Sequence, residues 1–160
     1  MKLRSKTVLK IVTGILLVVM AAGVTVIMKS ALMSRTPEYA LPVVQVMYNG
    51  TGLPYENQDM AAYTWSFLGN VKKSSPATAE NWRNLPAAWV NPGTALRIDF
   101  SFEPDEILIH RADNGDGTFV ELGGELRAPL EEGEYTYRVN ASWGNNKNIL
   151  YYFRIRVPSW

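Results

Sequence analysis

Polar and apolar side chains alternate through most of this chain, but from Ile11 to Met28 the alternation stops. Those eighteen residues, IVTGILLVVMAAGVTVIM, contain no charge. An α-helix rises about 1.5 Å per residue, so the run spans roughly 27 Å, close to the roughly 30 Å of a bilayer's hydrocarbon core. It is apolar on every helical face, whereas a core helix of a soluble protein is usually amphipathic. The run therefore predicts a single transmembrane α-helix in contact with the lipid bilayer. Val8 and Leu9 extend it, because the Lys10 ammonium can reach the headgroups along its aliphatic stem. A cleaved signal peptide has an apolar region of about 7–15 residues, shorter than this one. The residues that follow, KSALMS, offer no small-x-small site, although the Ala21-Ala22-Gly23 trio leaves cleavage open as the alternative.

Beyond the run the period changes to two. Val43 to Tyr48 is rich in β-branched residues and closes on the turn signals Asn49-Gly50 and Thr51-Gly52. Ala61 to Leu68 carries Tyr63, Trp65 and Phe67 at alternate positions. Leu96, Ile98, Phe100 and Phe102 alternate with polar residues, and Glu106 to Ala112 places Ile107, Ile109 and Arg111 on one face with Leu108 and His110 on the other. Thr118 to Leu122 and Glu125 to Pro129 flank Gly123-Gly124, which predicts a hairpin. Two longer alternating runs, Tyr135 to Trp143 and Ile149 to Val157, are joined by Gly144-Asn145-Asn146. About eight short strands with turn signals every 8–12 residues predict an antiparallel β-sandwich. Residues 69–93 are the least regular; Ser75-Pro76 is placed to start a short helix through Leu85. A connection this long in a compact domain is usually functional or mobile.

Charge divides the chain in two. All six basic residues up to Arg35 belong to the anchor region, and all fifteen acids follow it. Lys2, Arg4, Lys6 and Lys10 precede the apolar run and only Lys29 and Arg35 follow closely, which predicts a cytoplasmic N-terminus and an extracytoplasmic C-terminal domain. From Thr36 onward ten basic side chains face fifteen acidic ones, a net charge of −5. That balance argues against nucleic acid as a partner, which wants a basic surface. With no cysteine in the chain, disulfides, thiol catalysis, Cys-based zinc sites and a lipoprotein anchor are all excluded. The expected organisation is a basic tail over 1–10, a transmembrane helix over 11–28, a juxtamembrane stalk over 29–42 and a β-sandwich exterior domain over 43–158.

The runs PGTALRIDFSFEPDEILIHRA and LEEGEYTYRVNASWGNNKNILYYFRIRV, with Ala62-Tyr63-Thr64-Trp65-Ser66 as an early Tyr-x-Trp strand, resemble a group of small Ig-like extracytoplasmic domains. These occur on membrane- or lipid-anchored proteins of Gram-positive bacteria and mostly lack an assigned function. The likeness covers most of residues 43–157 and departs from many members in having no early cysteine. It implies an Ig-like sandwich and supplies no catalytic residues.

Candidate chemistry is sparse. The Asp113-Asn114-Gly115-Asp116-Gly117 run lacks the first and twelfth ligands of an EF-type calcium loop and predicts a turn between two strands. His110 is the only histidine, and its chain neighbours Arg111 and Asp113 need not be its spatial neighbours. No metal-protease, serine-hydrolase or phosphate-loop motif occurs. Asp105-Glu106 and Glu131-Glu132 are expected as solvated loop ends. Asn49-Gly50-Thr51 and Asn140-Ala141-Ser142 match the glycosylation pattern, which the bacterial resemblance argues against using. No cofactor, metal site or catalytic residue is expected, and the chain is not expected to be an enzyme. Trp82, Arg83 and Trp89 in the irregular segment are the candidate partner-binding residues, because Trp and Arg most often anchor interfaces; packing under the loop is the alternative. Trp160 presents the same choice. The expected function is a membrane-anchored, non-catalytic module that binds another envelope protein. Its alternatives are a loop-based inhibitor of an extracytoplasmic protease, which needs a protruding 69–94 loop, and a structural subunit of a membrane or cell-wall complex.

Overall fold

The structure, a computed structural model, describes residues 2–33, 37–67, 69–74 and 81–159. Helix α1 runs over Lys2–Met33 and so takes in the expected basic tail and the start of the expected stalk. The helix-favouring residues flanking the apolar run let the same hydrogen-bond ladder continue through both. Within it the 20-residue stretch Val12–Ala31 is long and apolar enough to cross a membrane. Its large side chains are exposed on every side of the helix, Val18 and Ile27 at 69% each. A helix buried in a soluble core would have hidden at least one face. Within α1 the Thr25 hydroxyl is satisfied by the helix itself, donating to the Ala21 carbonyl at 2.8 Å.

Residues 37–42, expected as the rest of the stalk, pack on the domain instead. Pro37–Ala40 forms a 3-10 turn, Pro37 and Pro42 are buried, and the Glu38 carboxylate accepts from the Tyr63 hydroxyl at 2.8 Å and pairs with Lys72. Two prolines and a carboxylate with two partners bind this segment to the sheet rather than leave it in solvent.

The remainder is mainly β and forms two sheets. Strands β1 (Val44–Tyr48), β2 (Thr51–Gly52) and β6 (Leu96–Phe100) make a small antiparallel sheet in the order β2-β1-β6. The larger sheet contains β3 (Gln58–Phe67), β4 (Asn70–Lys73), β7 (Glu106–Asp113), β8 (Val120–Glu121), β9 (Gly133–Ser142) and β10 (Asn148–Val157), in the order β4-β3-β10-β9-β7-β8. Strand β10 is its spine. It pairs along its whole length with β9, while its other edge is shared between β3 and the two-residue β5 (Ala88–Trp89), the latter parallel.

Alternation decides what lies between the sheets. From β9 and β10, Tyr135, Tyr137, Val139, Ala141, Ile149, Tyr151, Phe153 and Ile155 point inward, and Trp65 joins them from β3. Val44, Val46 and Leu96 meet them from the small sheet. Tyr137 and Phe153, cross-strand partners, stack at 4.5 Å. Buried Gln58 ties the sheets together. Its side chain donates to the Leu53 carbonyl at 2.6 Å and accepts from the Val46 amide at 3.2 Å and the Tyr151 hydroxyl at 2.7 Å.

Three expected elements differ, the first being Thr51-Gly52, which pairs with β1 as strand β2 and is not itself a turn. The hairpin across Gly123-Gly124 does not form: β8 pairs back onto β7, and the chain then crosses to the other sheet, where Leu126 accepts from the Leu96 amide and Arg127 bridges Ala95. Of the expected helix from Ser75 to Leu85, residues 75–80 lie outside the described residues and Asn81–Asn84 is one 3-10 turn.

Strand ends define two poles. At the entry pole, where the chain arrives from α1, Lys73, Thr64, Asn148, Ser142 and Glu106 stand in one row across the large sheet. Val44 and Phe100 begin and end their strands there, above an aromatic group of Trp65, Phe102 and Trp143. The far pole carries β5, the end of β10 and the start of β9.

Candidate functional site

Residues 81–90, part of the irregular segment, lie on the outer face of the large sheet, and the structure separates the three candidate residues. Trp82 is 5% exposed. It stacks on Tyr152 of β10 at 6.3 Å and meets Phe119 edge-on at 5.4 Å, forming a second apolar cluster with Ala61 that the core between the sheets does not touch. Outward-facing positions on β3 and β10 are apolar here because this segment covers them. Arg154 fixes the cover by donating to the Arg83 and Leu85 carbonyls at 3.1 and 2.8 Å. Arg83 itself is exposed, its guanidinium 5.1 Å from the Trp82 ring.

Trp89 does the opposite. Held on β5 by parallel pairing to Arg156, it is 61% exposed at the far pole. The Arg156 guanidinium lies 5.2 Å from its ring centre. Glu134 bridges Arg154, at 2.5 Å, and Arg156, so the cation beside Trp89 is itself anchored. Beside the ring is an open concavity of about 360 Å³, walled by Asn114, Glu132, Glu134 and Pro158. An exposed indole, an oriented guanidinium and an adjoining hollow thus stand together at the far pole.

His110 sits on the outer face of β7, half-buried, opposite Arg138 on β9 and Glu121 on β8. Arg111 and Asp113 point to the other face, where the guanidinium donates to the carboxylate at 2.7 and 3.1 Å. The His110 Nδ1 is buried without a hydrogen-bond partner among the described residues. The Asp113–Gly117 run is the turn joining β7 to β8, with Asn114 and Gly115 at positive φ and Asp116 accepting from the Thr118 amide. Asp105, Glu106, Glu131 and Glu132 are all exposed, as loop ends should be. Among the described residues no group of three or more His, Asp or Glu stands together where it could hold a metal ion. Asn49 lies in the β1–β2 turn and Asn140 within β9; Trp160 lies outside the described residues.

A groove of about 410 Å³ that sequence reasoning did not anticipate opens on the outer face near the entry pole, between Tyr63, Ser74, Leu108, Asn140 and Asn148. Its lining comes from β3, β4, β7, β9 and β10, and no motif marks it in the sequence. On the opposite face of the sheet, burial, then the neighbouring Glu38 carboxylate, pushes the Tyr63 phenol above its ordinary range. No known protein family, curated protein or solved structure matches this chain.

Proposed function

We propose that this chain is a single-pass membrane protein with a cytoplasmic N-terminus and an exterior Ig-like β-sandwich that binds another envelope protein without catalysing a reaction. Orientation follows from Lys2, Arg4, Lys6 and Lys10 preceding the span. The observation that carries the binding reading is Trp89: a large aromatic left 61% exposed on a strand, flanked by an anchored arginine, at the pole farthest from the chain's entry. Burying such a side chain at a partner recovers apolar area that folding leaves in water. Arg83 adds a charged neighbour on the same segment, whereas Trp82 serves the fold.

The protease-inhibitor alternative needed a protruding loop. The described part of the segment lies against the sheet with Trp82 buried, which counts against it.

Crosslinking and recovery of the full-length protein from membranes tests the proposal. Trp89→Ala is expected to lower recovery of the partner by about tenfold or more, as truncation at a hot spot does, with the thermal midpoint of the domain lowered by no more than a few degrees. Undiminished recovery would remove Trp89 from the interface.

A further inference from the structure

We infer that the entry pole of the exterior domain rests on the bilayer interface, with its exposed aromatic and aliphatic side chains in the headgroup layer. The inference relies on α1 spanning the membrane, as proposed above, and then follows from chain length. The apolar stretch ends at Ala31, α1 ends at Met33, and Pro37 is already buried in the domain. Two further helical residues rise about 3 Å. The four steps from Met33 to Pro37 reach at most about 14 Å however the chain runs. Pro37 therefore lies within about 17 Å of the hydrocarbon edge, of which the polar interface itself occupies about 5–7 Å. A domain held that closely must turn one surface to the lipid. The segment that enters it, residues 37–43, belongs to the entry pole.

That surface has the side chains an interface selects. Tyr39 is 66% exposed and Val43 64%, on either side of buried Pro42. Val71 is 50% exposed beside the β3–β4 turn, and Phe102 is 43% exposed in the β6–β7 connection. Behind Phe102, the half-buried Trp143 donates its indole N–H to the Phe102 carbonyl at 3.2 Å, which holds the loop in shape. Tyr and Trp favour the headgroup level, where an apolar ring and a polar tip are both satisfied. Attraction to anionic lipid is not what holds it: the cations of this pole, Lys72, Lys73 and Lys147, are outnumbered by Glu38, Glu103, Asp105 and Glu106, and Lys72 is paired with Glu38. Apolar contact drives the docking, so neutral lipid supports it.

The absence of native cysteine makes the test direct. Single-cysteine versions of the full chain, Val18→Cys, Glu103→Cys and Glu132→Cys, are labelled with a fluorophore and reconstituted in phosphatidylcholine vesicles carrying nitroxides on headgroups or acyl chains. Quenching is expected at 18 by acyl nitroxides and at 103 by headgroup nitroxides, with none at 132. Each ten-residue strand is about 33 Å long, which keeps the far pole beyond reach. Quenching at 18 but not at 103 overturns the inference and leaves the anchor standing; no quenching at 18 overturns the anchor itself. A second pair of variants separates docking from mere tethering. Inserting twelve Gly/Ser residues between Arg35 and Thr36 is expected to leave the signal at 103 largely in place. Adding Tyr39→Ser, Val43→Ser and Phe102→Ser to that insertion is expected to abolish it. Loss of the signal on insertion alone would show a tether and no docking.

Discussion

Two tryptophans seven positions apart in one irregular segment have opposite roles, and their substitution should separate them. Trp82 fills the cluster on the outer face of the large sheet with Tyr152, Phe119 and Ala61. Removing a buried aromatic costs about 3–5 kcal/mol. Trp82→Ala is expected near the lower end, about 3 kcal/mol, because the 81–90 segment can partly collapse, and urea unfolding of the domain measures it. Trp89→Ala removes an exposed ring and one cation–π contact, with an expected loss under about 1 kcal/mol. A second residue-scale expectation concerns pH. Burial holds the phenols of Tyr137 and Tyr151, 0% and 5% exposed, well above their ordinary range near 10. Where the native state keeps protons that the unfolded chain releases, stability falls as pH rises. The urea midpoint is therefore expected to be insensitive to these groups below about pH 9 and to decline once pH passes about 10. In Tyr151→Phe the decline should be shallower. That variant should also lose about 1 kcal/mol at neutral pH, with its hydrogen bond to Gln58.

Among the elements, legibility depended on whether the signal was local. The β1–β2 turn was readable because Asn49 and Gly50 take φ of 47° and 77°, a pair of left-handed residues that this dipeptide favours and others resist. Gly50→Val should accordingly cost about 1–2 kcal/mol, while Asn49→Gly should be close to neutral; thermal midpoints of the two variants check the contrast. The long alternating strands β6, β7, β9 and β10 were readable for a similar reason, since a period of two over several residues fixes one buried face. The Gly123-Gly124 pair misled. Glycines permit a turn without specifying what the following strand pairs with, and here the next residues are captured by β6 of the other sheet. Strands β2, β4 and β5 are too short to show a period, and β5 exists only because β10 offers an unpaired edge where β3 leaves off. Gln58 was missed as well. A single glutamine in a polar stretch gives no sign that it will be buried between Val46, Leu53 and Tyr151.

For the whole molecule, the two sheets and the aromatic core belong to residues 37–159, and no β element draws on α1 for its pairing. A domain of about 120 residues buries around two-thirds of its surface and needs no staple. A chain beginning at Thr36 is therefore expected to be soluble and to melt cooperatively with a β-type circular dichroism spectrum. A chain that aggregates or melts without cooperativity would show that the domain depends on α1. By itself the sequence determined three things: an apolar helix long enough to span a membrane, a mainly β remainder, and the confinement of all fifteen acidic residues to the chain beyond that helix. Each is carried by runs of neighbouring residues, where hydrophobic period and charge count act locally. Only the tertiary structure decided that residues 37–42 are a docked turn and that Trp82 is internal while Trp89 is not. It alone gathered Tyr39, Val43, Val71 and Phe102 at the pole where the chain enters the domain. Those outcomes depend on which surface another part of the chain happens to cover, and a covering contact between residues far apart in sequence leaves no periodic trace in either of them.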